Sequence, residues 1–506
     1  MPDLTPNRER EPTHLRKALG PVMLWGLGVG YVISGEYFGW NLGLPKGGTL
    51  GMLLAFVLVT VMYVTFVFSY TEMACAIPRA GGVFVYAERG LGLAGGYLGG
   101  IAQVVEFVFA PPAIAMAIGG YVQIWIPQRV QTGVDDWLSG HVNEPLAGAL
   151  PGWLVPEVSL VVCVAVVAYL IFTGLNVWGV KQAATFELIV TVLAVGGLLL
   201  FTGVTAPHAR LENFTANGWP HGWSGAIAAI PFAIWFYLAI EGVANAAEEA
   251  VAPQRDVARG FGGAMITLVI LACLAFFCSV AVGGWERVVY PAEQLTAVGE
   301  NLVVADPDAT SDRPLPMAME QILGRDHLLY HALVGIGLLG LIASFNGIIL
   351  ASGRALFEMG RVGFFPRFIG RAHRKTQTPV NALGVNFVIG LAAILFFDTG
   401  GLITLAAFGA VTLYIVSMIA LIRLRRKEPT LPRPYRTPLY PVFPIIALVI
   451  AAFSLATMAY FSFDLEDIRQ SHTLWYFGYL AVAFAYYLFI RPRLSEEDIA
   501  HFRRID

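Results

Sequence analysis

Two glycine-containing stretches of this chain decide its predicted fold. The first is Gly28-Val-Gly-Tyr-Val-Ile-Ser-Gly-Glu-Tyr-Phe-Gly39, and the second is Ile230-Pro-Phe-Ala-Ile-Trp-Phe-Tyr-Leu-Ala-Ile-Glu-Gly-Val-Ala-Asn245. Each lies within a long apolar segment and carries a glutamate next to a glycine. Because glycine has a weak helix propensity and proline removes a backbone hydrogen bond, we expect both segments to form helices that are broken near the middle.

The composition around these stretches is that of a membrane protein. Of the 506 residues, 57% are hydrophobic and 13% are charged, and the mean hydropathy is +0.67. A soluble fold would expose much of this apolar surface to water. Many apolar runs reach the roughly 20 residues that a helix needs to cross a bilayer, and short alternating segments typical of a membrane β-barrel are not seen. We therefore predict an all-α polytopic membrane protein.

The hydropathy pattern predicts twelve membrane-spanning helices. Their expected limits are 19–42, 50–77, 93–125, 156–178, 182–205, 225–246, 260–283, 329–357, 379–397, 400–422, 441–461 and 472–490.

The basic residues predict the orientation of these helices. With the N-terminus in the cytoplasm, most of the 32 lysines and arginines fall on the cytoplasmic side, as the positive-inside rule requires. We therefore expect a multi-pass protein of the inner (plasma) membrane with two cytoplasmic tails, 1–18 and 491–506. The basic clusters at 367–375 and 423–427 could instead bind nucleic acid, but both adjoin predicted spans, so orientation explains them better. The acidic, proline-containing outer loop at 284–328 is expected to be solvated.

Three glutamates fall inside predicted spans. They are Glu36 in helix 1, Glu106 in helix 3 and Glu241 in helix 6. An ionisable side chain at mid-membrane costs about 2.5 to 3.5 kcal/mol on insertion scales, so each should have a partner or a task. Helices 1 and 6 each begin a run of five helices, and two broken helices in corresponding positions are expected of an inverted-repeat transporter. The alternative is that the glycines only permit close helix packing.

Several separated motifs resemble those of the amino acid, polyamine and organocation transporter superfamily. The first begins at Glu72 and reads Glu-Met-Ala-Cys-Ala-Ile-Pro-Arg-Ala-Gly-Gly, with Tyr86 following. The second, Ala247-Glu-Glu-Ala-Val-Ala-Pro-Gln-Arg-Asp256, has alanine at 252 where asparagine is usual. Ser352-Gly-Arg354 with Gly363-Phe-Phe-Pro366, and Arg436-Thr-Pro-Leu-Tyr-Pro441, complete the set. Four such motifs in order identify the chain as similar to this superfamily over nearly its whole length.

Within the superfamily the chain most resembles the ethanolamine permeases. The segments that carry this resemblance are Ile33-Ser-Gly-Glu-Tyr-Phe-Gly-Trp-Asn41, Glu106-Phe-Val-Phe-Ala-Pro-Pro112, Glu241-Gly-Val-Ala-Asn-Ala-Ala-Glu-Glu249 and Asn346-Gly-Ile-Ile-Leu-Ala-Ser-Gly-Arg354. The resemblance implies a LeuT-like fold, with inverted repeats at 19–205 and 225–422 and two further helices at 441–490. It also implies a substrate site made by helices 1, 3, 6 and 8.

A physical argument favours an amine over an amino acid as the substrate. Amino-acid members hold the substrate carboxylate on backbone N–H groups of the broken helix 1. Here Glu36 directly follows Ser34 and Gly35. Two carboxylates about 5 Å apart would repel by roughly 3 kcal/mol at an effective dielectric near 20, which exceeds a hundredfold in affinity. We therefore expect import of ethanolamine or a related small primary amine by alternating access, provided that Glu36 is ionised and faces the cavity.

The residues expected to bind the substrate are Ser34, Gly35, Glu36, Glu106, Trp235, Tyr237, Leu238, Glu241, Ser344 and Asn346. The polar and aromatic ones also have structural explanations: Glu36 could cap the half-helix after it, Trp235 and Tyr237 could only pack, and Ser344 and Asn346 could join helices. The resemblance implies that Glu241 could act as a proton-responsive gate. Glu187 in helix 5 is expected to be structural.

The expected partners are a small amine substrate, the lipid bilayer and a coupling ion, either a proton or sodium; no nucleic acid, cofactor or metal is expected. Some superfamily members carry a lysine in helix 5 where Ala194 stands here, so proton coupling by that route is doubtful. The nearest alternative is an amino-acid permease of the same fold. An intramembrane enzyme is disfavoured because no histidine lies near the three glutamates in sequence, and a solute sensor because the short tails offer no signalling domain.

Overall fold

The computed structural model describes residues 17–79, 81–151, 155–178, 183–298, 301–373, 376 and 378–494. Most of both predicted tails, together with Arg374 and Lys375 of the basic cluster at 367–375, lies outside the described residues.

The first part of the chain forms nine α-helices. They are α1 (Pro21–Val32), α2 (Ser34–Tyr37), α3 (Leu44–Ala76), α4 (Val83–Leu91), α5 (Leu93–Gln123), α6 (Gln128–Leu138), α7 (Glu144–Ala149), α8 (Leu160–Trp178) and α9 (Ala183–Thr205).

The remainder forms twelve α-helices and one small hairpin. The helices are α10 (Leu211–Thr215), α11 (Gly222–Ala228), α12 (Ile230–Trp235), α13 (Gly242–Asn245), α14 (Pro253–Gly283), α15 (Glu286–Val289), α16 (Pro314–Leu323), α17 (Leu328–Arg361), α18 (Val380–Phe396), α19 (Thr399–Lys427), α20 (Val442–Phe461) and α21 (His472–Ile490). Strands β1 (Leu295–Val298) and β2 (Asn301–Val304) pair antiparallel.

The fold class predicted from the sequence is confirmed. Within the described ranges, nine helices are long and apolar enough to cross a membrane: α3, α5, α8, α9, α14, α17, α19, α20 and α21, some with a short extension. The other three predicted spans contain shorter apolar helices at Pro21–Val32, Gly222–Trp235 and Val380–Phe396. The protein is therefore polytopic and all-α, while the count of twelve spans stays a prediction.

The first predicted break lies where the sequence places it. Helix α1 stops at Val32, and the short α2 ends at Tyr37. Phe38 is fully extended, and Gly39 adopts φ 89°, a left-handed backbone that favours glycine. A 3₁₀ turn at Trp40–Gly43 then leads into α3. The chain therefore loses its helical hydrogen bonds within the predicted span.

The second break separates α12 from α13. Helix α12 ends at Trp235, and turns continue to Glu241 before α13 begins at Gly242. Within this interval Ala239 has φ 74°. A left-handed backbone is strained for a residue with a Cβ, and such strain persists only where the surroundings enforce it. The contacts around Ala239 must therefore hold this strained backbone in place.

Burial divides the helices into a core and a periphery. Helices α5 and α19 are buried on nearly all sides and pack against one another, whereas most of α20 and α21 faces outward. Because an ionisable group inside a membrane needs a protein environment, the core position of α5 suits Glu106.

The outer loop is not the fully solvated segment that its composition predicts. It contains α15, the hairpin and α16, and side chains such as Glu286 and Leu315 are buried. The side-chain amide of Asn41 donates to the carbonyl of Ser311 at 2.8 Å. The loop is therefore attached to the chain just after the first break, because the buried polar groups there need partners.

A buried ionic cluster fixes the opposite end of the core. Glu72, near the end of α3, is 1% exposed and receives hydrogen bonds from Arg425 at the end of α19. Arg433 Nε lies 3.2 Å from Glu72 Oε1, and the backbone N–H of Thr437 donates to Oε2 at 2.8 Å. Arg425 of the basic cluster at 423–427 thus has a structural partner. The cluster joins α3 to the segment between α19 and α20.

We expect Glu72→Gln to lower the free energy of unfolding by about 3 to 5 kcal/mol, because it leaves two largely buried guanidinium groups without their counter-charge. Thermal unfolding in detergent micelles measures this effect. The matched control is Glu320→Gln, whose partner Arg325 is 67% exposed and which should change the stability by less than about 1 kcal/mol. Equal melting temperatures for the two variants would contradict this account.

Candidate functional site

The two broken segments touch each other directly. A Cβ added at Gly35 would overlap the carbonyl oxygen of Trp235, and one added at Gly39 would overlap the Trp235 indole. The Phe38 and Trp235 rings meet edge to face, with centroids 5.4 Å apart. We call residues 34–39 together with residues 235–241 the helix crossing. The glycines of the first segment permit this close approach because they have no side chain.

The helix crossing gathers buried polar atoms that have no hydrogen-bond partner among the described residues. They are both carboxyl oxygens of Glu36, Nε1 of Trp235, Oε1 of Glu241 and, from the neighbouring α5, Oε2 of Glu106. Most buried polar groups in proteins are paired, so each exception needs an explanation. These four side chains therefore leave hydrogen-bond donors and acceptors available to a bound polar solute.

Glu36 is completely buried on one side of the crossing. Helix α2, which carries Glu36, packs against α14 and α17. Because neither carboxyl oxygen has a described hydrogen bond, the structure does not support the alternative in which Glu36 only caps a half-helix.

Glu106 and Glu241 form a carboxyl pair. Both are fully buried and lie at the second break, where two neighbouring carboxyl groups cannot both be ionised without strong repulsion. Glu106 Oε1 also accepts a 3.0 Å hydrogen bond from the backbone N–H of Ala239. This bond accounts for the strained backbone at Ala239, since the left-handed turn directs that N–H to α5. The Tyr414 hydroxyl of α19 lies 3.3 Å from Glu241 Oε2.

Two serines stabilise the first break. The Ser344 hydroxyl of α17 donates to the carbonyl of Tyr31 at 2.6 Å and lies 2.8 Å from the Ser34 hydroxyl. Because carbonyls at the end of a helix have no partner within it, Ser344 supplies one from another helix. Ser344 therefore lies beside the helix crossing, next to Ser34 within it, and substrate binding by these two serines stays a prediction.

The side chains of three other predicted site residues, two of which belong to the helix crossing, have other partners or lie in the hydrophobic core. The Tyr237 hydroxyl lies 2.8 Å from the Thr60 hydroxyl of α3, and Asn346 accepts a 2.9 Å hydrogen bond from Asn176 of α8. Leu238 is 3% exposed and belongs to the hydrophobic core. The polar atoms of Tyr237 and Asn346 are thus engaged by flanking helices, which leaves Ser344 as the α17 hydroxyl at the crossing.

Sequence reasoning missed the tyrosines around the crossing. The Tyr121 hydroxyl donates to the carbonyl of Tyr37 at 3.2 Å, and the Tyr37 hydroxyl donates to the carbonyl of Ala194 at 2.7 Å. Tyr414 contacts the carboxyl pair from a helix more than 170 residues along the chain. No local motif marks these residues, because their roles arise only when distant helices pack.

A small cavity lies next to the crossing, below the outer loop. Tyr37 and Tyr121 form one wall, and Leu315, Pro316 and Met319 of α16 form another, around a cavity of about 20 Å³. The cavity therefore separates the crossing from α16 of the outer loop.

Comparison with known proteins identifies the family. The family model described as "Amino acid permease" matches residues 19–485. The chain belongs to the amino acid permease family. This family is part of the amino acid, polyamine and organocation transporter superfamily, so the superfamily assignment made from the sequence motifs is confirmed.

Three relatives cover most of the chain. An uncharacterized transporter of Rhizobium meliloti is 27% identical over 91% of this chain and 90% of its own length. The branched-chain amino acid permease BcaP of Bacillus subtilis is 25% identical over 84% of each chain. The methylthioribose transporter of the same organism is 25% identical over 91% of each chain. Family and relatives together identify a transporter rather than an enzyme.

These comparisons confirm the prediction of a membrane transporter for a small molecule, and they give no support to ethanolamine as its substrate. Membership in a transporter family supports a small-molecule substrate and a multi-pass location in a membrane. The names of these relatives mention branched-chain amino acids and methylthioribose rather than ethanolamine. The amino-acid alternative therefore fits the comparisons better than the amine.

We expect Gly35→Ala to reduce transport at least tenfold, because its methyl group would overlap the Trp235 carbonyl and force the two broken segments apart. Gly196→Ala in α9 is the matched control, since a Cβ there meets nothing within 4 Å. Initial rates of substrate uptake, normalised to the amount of folded protein, compare the two variants. Wild-type transport by Gly35→Ala would show that the close contact is not required.

Proposed function

We propose that this chain is an amino-acid permease that works by alternating access, and that its substrate binds at the helix crossing. The observation that carries this proposal is the set of unpartnered polar atoms on Glu36, Glu106, Trp235 and Glu241. A zwitterionic guest offers both an ammonium donor and carboxylate acceptors, so it can satisfy groups of both kinds. Family membership supports the same conclusion.

An amino acid can bind beside Glu36 if its ammonium group faces that carboxylate. The repulsion expected from the sequence requires the Glu36 carboxylate to lie about 5 Å from the substrate carboxylate. Both oxygens of Glu36 are buried and have no partner among the described residues, so they can accept hydrogen bonds from an ammonium group. We propose that the amino acid directs its ammonium group to Glu36 and its carboxylate to the Ser34 side of the crossing, which separates the two carboxylates.

Ethanolamine remains the second candidate for one specific reason. Both oxygens of the fully buried Glu36 lack a partner, and a cation without a carboxylate would satisfy them equally well. Uptake of radiolabelled alanine, leucine and ethanolamine into proteoliposomes separates the candidates. We expect saturable uptake of an amino acid that ethanolamine does not inhibit; uptake of ethanolamine alone would contradict the proposal in favour of the amine.

We expect Glu36→Gln to weaken substrate binding by tenfold or more, because a hydrogen bond to a charged group contributes about 1.5 to 3 kcal/mol. Isothermal titration calorimetry of the purified protein measures the dissociation constant. Glu320→Gln, a partly exposed site in α16, controls for the loss of one negative charge. Unchanged affinity in Glu36→Gln would exclude Glu36 from the substrate site.

We further propose that the coupling ion is a proton held by the Glu106–Glu241 pair. Both carboxyl groups are fully buried at the second break, and two neighbouring carboxylates would repel each other there, so the pair favours binding one proton. Glu106 also binds the backbone of the second break through Ala239, so loss of the proton would repel Glu241 from Glu106 and act directly on that break. Protonation of the pair would therefore change the conformation of the second break.

We expect an inward proton gradient to stimulate uptake several-fold and Glu241→Gln to abolish this stimulation, because glutamine cannot release a proton. Uptake is measured with a proton gradient, with a sodium gradient and with neither. Substrate exchange at equal pH, which needs no net proton movement, should persist in Glu241→Gln and shows that the variant is folded. Stimulation by sodium alone in the wild type would contradict proton coupling.

A further inference from the structure

An apolar groove lies between α5, α18, α19 and α21. It has a volume of about 320 Å³. Val105, Ala393 and Leu405 are among the residues that line it. We call this space the flank groove. Its volume is in the range of about 300 to 1,000 Å³ that ligand sites usually have.

Arg469 is the charged residue in the wall of the flank groove. Its Nε donates to the carbonyl of Phe396 at 2.8 Å, and its Nη1 donates to the carbonyl of Val155 at 3.0 Å. These bonds hold the guanidinium at the end of α18, at the mouth of the groove. Within the part of the chain that the structure describes, no carboxylate oxygen lies within 4.0 Å of Arg469. Its charge is therefore fixed in position without an ionic partner.

The aromatic residues at the mouth indicate its depth in the membrane. Trp475 and Tyr479 of α21 line the groove, and the Trp475 indole packs edge to face on Phe397, with centroids 5.6 Å apart. Tryptophan and tyrosine prefer the headgroup level of a bilayer, where one end of the ring is apolar and the other is wet. The mouth therefore lies at the level of lipid phosphates, and the apolar part of the groove extends toward the hydrocarbon core.

We propose that the flank groove binds one phospholipid, with an acyl chain along the apolar walls and the phosphate paired to Arg469. An apolar groove with a single fixed cation at its mouth is complementary to a molecule that has a long hydrocarbon chain and one anionic group. An amino acid fits this surface less well, because no carboxylate among the described lining residues would pair with its ammonium group. The acyl chain would contact Val105, next to Glu106 in α5.

Binding is tested on the full chain purified in detergent, by native mass spectrometry with phosphatidylglycerol added. We expect Arg469→Gln to weaken retention of the lipid by about tenfold, because a charge-assisted pair is lost. Arg325→Gln, which removes an exposed arginine from the same side of the protein, should bind as the wild type does. Equal lipid retention by Arg469→Gln and the wild type would overturn the proposal.

A second variant tests the groove independently of Arg469. Ala393→Trp fills the apolar wall and leaves the guanidinium in place, so it should also reduce retention of phosphatidylglycerol. Diacylglycerol with the same acyl chains should be retained about as weakly as phosphatidylglycerol is by Arg469→Gln. If glycerol phosphate alone prevents lipid binding, or if Ala393→Trp retains lipid normally, the site recognises only a free phosphate and the proposal fails.

Discussion

The structure depends on how the backbone groups at the breaks of two helices find hydrogen-bond partners inside a membrane. Within the hydrocarbon core, backbone groups that leave a helix must find partners in the protein or in a polar cavity. At the first break, Ser344 supplies the partner for the carbonyl of Tyr31. At the second break, Glu106 accepts from the N–H of Ala239. Helices α5 and α17 are thus bound to the breaks by polar contacts, and these contacts place the carboxyl groups around the crossing.

The same arrangement explains why binding and movement can be coupled. Glu106 connects α5 to the second break, in which Glu241 also lies. Under the proposed proton coupling, a change in the charge of these two carboxyls would act on the strained backbone at Ala239, while the Glu72 cluster ties α3 to the segment after α19. A switch between two packed states requires rigid contacts in the scaffold and one strained segment that can titrate.

The fold could largely be predicted from the sequence, because it rests on patterns that are local. Runs of apolar residues mark the helices, and the glycines near Ser34 and Glu241 mark the breaks. The site was predictable only in part. Glu36, Glu106 and Glu241 stand out because charge is rare within spans, but the direction of each side chain depends on packing. Asn346 faces α8 and Tyr237 faces α3 for that reason, and Tyr414 has no sequence signal at all.

The most direct test of the central claim is a structure of the protein with a transported amino acid bound, determined by electron cryomicroscopy in a lipid nanodisc. The account predicts substrate density between the two broken segments, with the ammonium nitrogen about 2.7 to 3.2 Å from a Glu36 carboxyl oxygen. Density elsewhere, with Glu36 paired to another protein side chain and the crossing unchanged, would contradict it.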